Sequence, residues 1–419
     1  MMRAATTTLL LALVACDVSP SVPRADLSPL RVTPAFAVIT SDRQSTAVAM
    51  LDAEGALITE AWIDSGTTTA ILTATLDGDV VMPSSPIGTN VLTLLNQLGA
   101  TVITRISIPS GEVLSQFSAQ RPEPDDGASM RFLANIHDAL DLRDGTILVT
   151  RFDPNLRPGA EPLDRGNDAV IVRLSDGEIL DRVPFENVDT TIDGELYYAR
   201  PSGMVRLSNA IVTATARLDR LFHAGPGAVA VVDAAARSAR AIELEDLADC
   251  LEVVDVPGDP THAVVLCAGD TYTTMSERRA HSGLALLGID AEDEVVVEHV
   301  WRASEHADEP VPSNGLVSLG GARVAVNAMG DRAEDTDDQY IVVDLENDIA
   351  TVAFESEGSF VISKGAFVPA RSQLLVPDAA RGVHIFHVNV DGSLDETGLV
   401  DTSPLRRLPA REVRALATE

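Results

Sequence analysis

The sequence predicts an all-β fold, a seven-bladed β-propeller with about four antiparallel strands per blade. Three observations carry this. First, an apolar strand ends in a short turn of Asp, Ser, Gly or Asn and a second strand returns. This unit occurs seven times, at Leu51-Asp-Ala-Glu-Gly55, Ile108-Pro-Ser-Gly111, Leu174-Ser-Asp-Gly177, Val232-Asp-Ala-Ala-Ala236, Ile289-Asp-Ala-Glu-Asp293, Val343-Asp-Leu-Glu-Asn347 and Val390-Asp391-Gly392. Second, the copies lie 47 to 66 residues apart, a period that suits one propeller blade and is too long for helical solenoids. Third, a further apolar strand follows a tight turn upstream in most units, as in Asp77–Met82, Asp144–Thr150, Asn209–Thr213, Thr261–Leu266, Gly321–Asn327 and Ser372–Pro377. Such a blade is a small twisted sheet that buries its faces only against its neighbours.

At the N-terminus, Arg3 precedes an apolar run from Leu9 to Ala15. The run is too short to span a bilayer and reads as an export signal over residues 1–15. The string Leu13-Val14-Ala15-Cys16 resembles the lipobox of bacterial lipoproteins. That resemblance implies cleavage before Cys16, which then carries the lipid. Residues 16–34, rich in Pro and Ser, read as a tether of roughly 25 Å reach. No later run of 18 apolar residues follows, so lipid is the one anchor in view. Several acyl chains on one Cys hold a protein firmly, where a single chain binds marginally. The propeller is expected over residues 35–405. The strand Ala35–Thr40 has no unit before it and is expected to complete the final blade, removing its edge. Residues 406–419 read as a loose tail.

The net charge is −32. Such a surface repels nucleic acid and anionic headgroups and attracts cations or basic proteins. Solubility or adaptation to a salty habitat is the plainer account of it. Lys364 is the only lysine, and Trp62 and Trp301 are the only indoles. Base- and sugar-stacking platforms need aromatic faces, so a lectin or single-strand binder is not expected. The chain reads as a monomer.

Cys250 and Cys267 flank Pro257-Gly258-Asp259-Pro260, where two apolar strands fold back. That places the two thiols opposite each other on an antiparallel hairpin, at a separation that suits a disulfide. Export to an oxidising compartment favours it.

Ile147-Leu-Val-Thr150 with Asn167–Gly177, and Val324-Ala-Val-Asn327 with Tyr340–Asp344, resemble the YVTN-type propeller repeats of bacterial surface and periplasmic proteins. No copy has the full Tyr-Val-Thr-Asn string, and there is no Trp-Asp blade ending. The resemblance implies a seven-bladed propeller outside the cytoplasm and no single activity.

In propellers the first strand of each blade lines the central channel. The segments leading into those strands place His137, Asp138, Arg200, Asp249, Asn314 and Lys364 around one mouth, with Thr33 and Thr68-Thr69 at the corresponding places of the first two blades. Convergent polar groups at a concave mouth suit a ligand. The same residue types also cap strands and bond neighbouring backbones. His384 and His387, three apart on a strand, point to opposite faces, so they are not expected to share a metal. His299, Trp301 and His306, near Glu305 and Asp308, read as a transition-metal patch or a solvated acidic loop. Asp331–Asp338 offers oxygens for calcium but lacks EF-hand spacing. No Gly-rich phosphate loop or Gly-x-Ser-x-Gly elbow is present.

The expected function is a lipid-anchored binding or scaffold module of the cell envelope, on its periplasmic side or the cell surface, with an envelope protein or small ligand as partner and no cofactor. The alternative is a metal-dependent propeller hydrolase of lactonase or esterase type, with Asp138, Asp249 and Asn314 on the cation. Fold does not choose between them. Changing Cys16→Ser should move the protein from the membrane to the soluble fraction; undiminished membrane retention would contradict the lipid anchor.

Overall fold

The computed structural model describes residues 25–120, 132–157, 161–306, 310–331 and 336–417. Seven four-stranded antiparallel sheets form a seven-bladed β-propeller around a central channel. Each strand is hydrogen-bonded to its neighbours in simple meander order. The innermost strands are Ala410–Ala415 in blade 1, Val80–Val81 in blade 2, Ile136–Asp141 in blade 3, Pro201–Leu207 in blade 4, Cys250–Val256 in blade 5, Pro312–Gly320 in blade 6 and Ala366–Val368 in blade 7.

All seven repeated turns lie between the third and fourth strands of their blades. Their aspartates recur for a local reason. Asp52 Oδ1 accepts from the N–H groups of Glu54 and Ala56, Asp233 Oδ1 from Ala235 and Ala236, and Asp290 Oδ1 from Glu292 and Glu294. Asp344 and Asp391 do the same in blades 6 and 7. Asx geometry closes a turn without help from the rest of the fold. In blade 2, Ser110 Oγ takes that place and accepts from Glu112.

The core is not one mass. Seven of the buried clusters each span one junction between neighbouring blades. Val205, Val212 and Val229 of blade 4 meet Val253, Val265 and Leu287 of blade 5 in one of them. Ala37, Val48 and Met50 of blade 1 meet Leu92, Leu94 and Ile106 of blade 2 in another. The junction of blades 7 and 1 joins Leu375 and Val383 to Phe36, Val38 and Val413.

That last junction corrects the expected C-terminal tail. Ala410–Ala415 is a strand, and it pairs antiparallel with Phe36–Ser41. Blade 1 is therefore built from both ends of the chain, and blade 7 is complete without the N-terminal strand. The tail carries an alternating charged face because that face lines the channel, which hid it from a search for apolar strands. The expected tether is also shorter than residues 16–34. Leu27 and Leu30 pack on the junction of blades 1 and 2, and Trp62 Nε1 donates to the Ser28 carbonyl at 3.0 Å. The expected export signal and Cys16 lie outside the described residues. In blade 2, Asp77–Met82 contains the short innermost strand, where the other copies of that pattern form the second strand.

Cys250 and Cys267 are disulfide-bonded and face each other on the first two strands of blade 5, as the hairpin predicts. The chain reverses at Pro257-Gly258, and Val256 pairs with Asp259. Gly258 has φ +81°, a conformation that side chains disfavour. A crosslink over 17 residues stabilises by about 3 kcal/mol on the loop-entropy estimate. The α-helix Met275–His281 is capped by Thr274 and Glu277 in a capping box. No described helix is long and apolar enough to cross a membrane.

Deleting residues 410–419 should abolish the cooperative thermal transition, because it leaves the Phe36–Ser41 edge and the blade 7 face unpaired. A monomeric truncation that melts like the full chain would refute this account of closure.

Candidate functional site: the central channel

The channel holds two cavities, of about 290 Å³ at the mouth where the innermost strands begin and about 240 Å³ towards the opposite mouth. Met82, Ser84 and Arg414 line both and form the waist between them. The narrowing has a local cause. Blade 2 has only two residues of inner strand, so the chain beyond Val81 lies in the channel as a loop.

Three carboxylates fix that arrangement. Asp138 Oδ1 accepts from the N–H of Ser84 at 2.8 Å and of Ala139 at 2.8 Å, and its Oδ2 accepts from Met204 at 2.7 Å. It thereby joins blades 2, 3 and 4. Glu252 reaches from blade 5 to blade 6 and accepts from Gly315 at 2.7 Å and Leu316 at 2.9 Å. Glu412 reaches from blade 1 to blade 2, where Oε2 accepts from Met82 at 2.9 Å; its Oε1 pairs with Arg414 Nε at 2.9 Å. Charge-assisted bonds of this kind are among the stronger ones in proteins. Burial raises the pKa of Glu412 above the usual range, against the pull of Arg414 and Lys364.

The cations are less committed. Among the described residues, Lys364 Nζ has one hydrogen-bond partner, Ser84 Oγ at 3.3 Å, of the three bonds it can donate. Burial lowers its pKa, as does Arg414, while Glu252, Asp138 and Glu412 oppose the shift. Arg414 has one ion pair, with Glu412. Arg411 also lines the upper cavity and donates from Nε to the Ser41 carbonyl. His137 completes the wall. Its ring stacks on Phe152 at 4.2 Å, and Nδ1 lies 3.0 Å from Ser202 Oγ. Burial, helped by Arg200, pushes its pKa down to about 3, so the imidazole is neutral at pH 7.

Of the six residues expected at one mouth, His137 and Lys364 line the upper cavity. Asp138 is buried beneath it with both oxygens engaged. Arg200 lies beside His137 but turns to Asp153 at 2.5 Å and to the faces of Phe152 and Phe222. Asn314 accepts at Oδ1 from Asn327 Nδ2 within blade 6 at 2.8 Å, and its Nδ2 reaches the Ile362 carbonyl beside blade 7 at 3.5 Å. Asp249 is buried away from the cavity lining; its Oδ1 has no hydrogen-bond partner. Thr33 and Thr68-Thr69 are exposed and line neither channel cavity. The inner strand of blade 1 supplies Arg411, Glu412 and Arg414 there and the loop after Val81 in blade 2 supplies Ser84, which sequence reading missed along with Glu252 and Ser202. Glu252 did leave a signal, as a lone carboxylate inside the apolar strand Leu251–Val254.

Asp138, Asp249 and Asn314 thus do not form the three-oxygen cation site considered for a hydrolase. Among the described residues, no three His, Cys, Asp or Glu side chains are grouped to hold a metal ion. In the acidic loop, Asp338 spends its oxygens on the N–H groups of Gly330, Phe360, Val361 and Ile362; residues 332–335 lie outside the described residues. His384 is held by Glu396 at 2.8 Å and Asp378 at 3.4 Å, while His387 is exposed on the other face. His299 pairs with Asp348 at 2.9 Å, and His306 stacks on Trp301 at 4.7 Å. Asp308 lies outside the described residues.

No protein-family model and no curated protein matches this chain. Solved structures do. The periplasmic gluconolactonase of Pseudomonas aeruginosa is similar over 92% of this chain and 99% of its own, at 13% identity and a TM-score of 0.56. A provisionally named 6-phosphogluconolactonase of Bacteroides fragilis is similar over 91% and 97%, at 10% identity and 0.52. The Cps50 (Swd1) propeller domain of Myceliophteria thermophila is similar over 86% and 99%, at 11% identity and 0.52. At these identities the likeness is of fold alone.

Burial, and the nearby Asp270, push the Asp249 pKa up to about 7 against the opposing pull of Arg278. Its folded-state value lies above its unfolded one, so stability present below pH 4 is lost as pH rises towards 7. Asp249→Asn should therefore stabilise the fold by on the order of 1–3 kcal/mol at pH 8 and by little at pH 4, measured as paired melting curves. An equal effect at both pH values would refute the assignment.

Proposed function

We propose that the protein is a lipid-anchored propeller of the bacterial cell envelope, held through Cys16, that binds a small organic anion in its central channel. One observation carries the reading. The channel's carboxylates are spent on backbone N–H groups across blade junctions, while Lys364 and Arg414 keep donors in reserve at the waist. A site whose fixed acceptors are occupied and whose cations keep unused donors selects for anions over metal cations. A carboxylate or phosphate group suits both cations, and Arg414 presents a planar fork to it. The scaffold role expected from the sequence becomes, in this reading, ligand capture.

A second reading is favoured by His137 and Ser202. His137 lies within hydrogen-bond reach of the Ser202 hydroxyl, which is general-base geometry; a substrate would have to raise its pKa from about 3 towards neutrality for the imidazole to take that proton, with Lys364 or Arg414 stabilising a developing oxyanion. Lactone hydrolysis fits that pairing, and three structures of similar fold bear lactonase names. This version needs no metal from Asp138, Asp249 and Asn314.

The test is calorimetric titration of the full chain with gluconate, 6-phosphogluconate and a neutral sugar, for wild type and Lys364→Met. The anions should bind and the neutral sugar should not, and Lys364→Met should weaken binding by tenfold or more. Absence of anion binding, or equal binding by the variant, would overturn the proposal. Turnover of gluconolactone that is lost in His137→Gln would select the hydrolase reading.

A further inference from the structure

We infer that the channel takes an amphiphilic anion, with its charged head at the waist and an apolar tail in the lower cavity. This rests on the anion-binding reading above and names the class of ligand. The two cavities differ in chemistry along one axis. The upper one is walled by His137, Glu252, Lys364 and Glu412. The lower one is lined by only two charged side chains, Arg414 and Asp255, and half-buried Val91, Val254, Phe367 and Leu416 give it an apolar wall. Arg414 lines both, and Lys364 donates to Ser84, which also lines both. A ligand that reaches both cavities therefore passes the cations between them.

A purely hydrophilic anion would leave the lower cavity filled with water against apolar walls. An alkyl or acyl tail displaces that water, and each methylene buried contributes about 0.8 kcal/mol, or about fourfold in affinity. A wholly apolar ligand would leave the donors of Lys364 and Arg414 unused. The occupant that meets both demands is a monocarboxylate with a medium-length unbranched tail. A bulky or doubly charged anion would not place a second charge among the lower walls at acceptable desolvation cost.

The experiment is titration of the full chain with unbranched carboxylates from acetate to decanoate, each below its micelle concentration. It is repeated with Ala417→Trp and Ser318→Trp, neutral lining positions that narrow the lower cavity, and each variant's melting temperature is recorded. Affinity should rise about fourfold per methylene over several carbons and then level off. Either folded tryptophan variant should erase the gain for long chains and leave acetate binding unchanged. Binding of short anions that depends on Lys364 but is flat with chain length would overturn the amphiphile and leave the anion site standing. A length dependence untouched by both folded variants would place the tail elsewhere and also overturn it. No binding at any length, together with no binding of gluconate or 6-phosphogluconate, would overturn both.

Discussion

Closure of the ring is the constraint on which the rest of the molecule depends. Each blade buries its two faces only against its neighbours, and the seven cores at the blade junctions leave no blade a free face. An open ring would expose two apolar faces and a strand edge. Pairing of Ala410–Ala415 with Phe36–Ser41 removes the edge and supplies the inner strand of blade 1. The same strand delivers Arg411, Glu412 and Arg414 to the channel. Closing the fold and charging the site are one event, so a chain that fails to close also lacks its waist.

The polar groups of the channel divide by what they satisfy. Inner strands of neighbouring blades converge without forming a common sheet, and their ladders shift register at Ile136/Ala139, Pro201/Met204 and Asn314/Val317, where the N–H groups of Ala139, Met204, Gly315 and Leu316 turn to carboxylates. Buried N–H groups need acceptors. Asp138, Glu252 and Glu412 provide them, and each spans a junction between blades. Most polar residues at the mouth are therefore structural. What remains for chemistry is the smaller set without such duties, Lys364, Arg414 and the His137–Ser202 pair.

The outer architecture was legible in the sequence and the inner wall was only partly so. The seven turns were found because Asp52, Asp176, Asp233, Asp290, Asp344 and Asp391 close six of them, and Ser110 the seventh, by local bonds that any such turn repeats. The Cys250–Cys267 bridge was found because a single hairpin sets its geometry. The inner strand of blade 1 escaped notice, and that of blade 2 was met only within Asp77–Met82, a pattern that forms the second strand in other blades. Val80–Val81 is too short to show a period, and Ala410–Ala415 carries charges on the face that lines the channel. Apolar periodicity detects strands buried on at least one broad face. Strands that line a wet channel are the ones it loses, and here they carry the site. Asp249 and Asn314 were misplaced for a related reason, since position in a strand does not reveal which junction a side chain turns towards.

The net charge of −32 bears on how such a channel works. A strongly negative exterior repels an anion at long range, and screening over about 8–10 Å in physiological salt confines that repulsion near the surface. Inside, the low-dielectric walls strengthen the pull of Lys364 and Arg414 once the ligand has lost its water. Repulsion outside and attraction inside select against dense polyanions, which feel the exterior along their whole length. They favour a small molecule with one charged group and an apolar remainder, whose cost of approach is modest and whose burial is favourable. The acidic surface and the apolar lower cavity thus argue for the same class of ligand from opposite ends of the binding path.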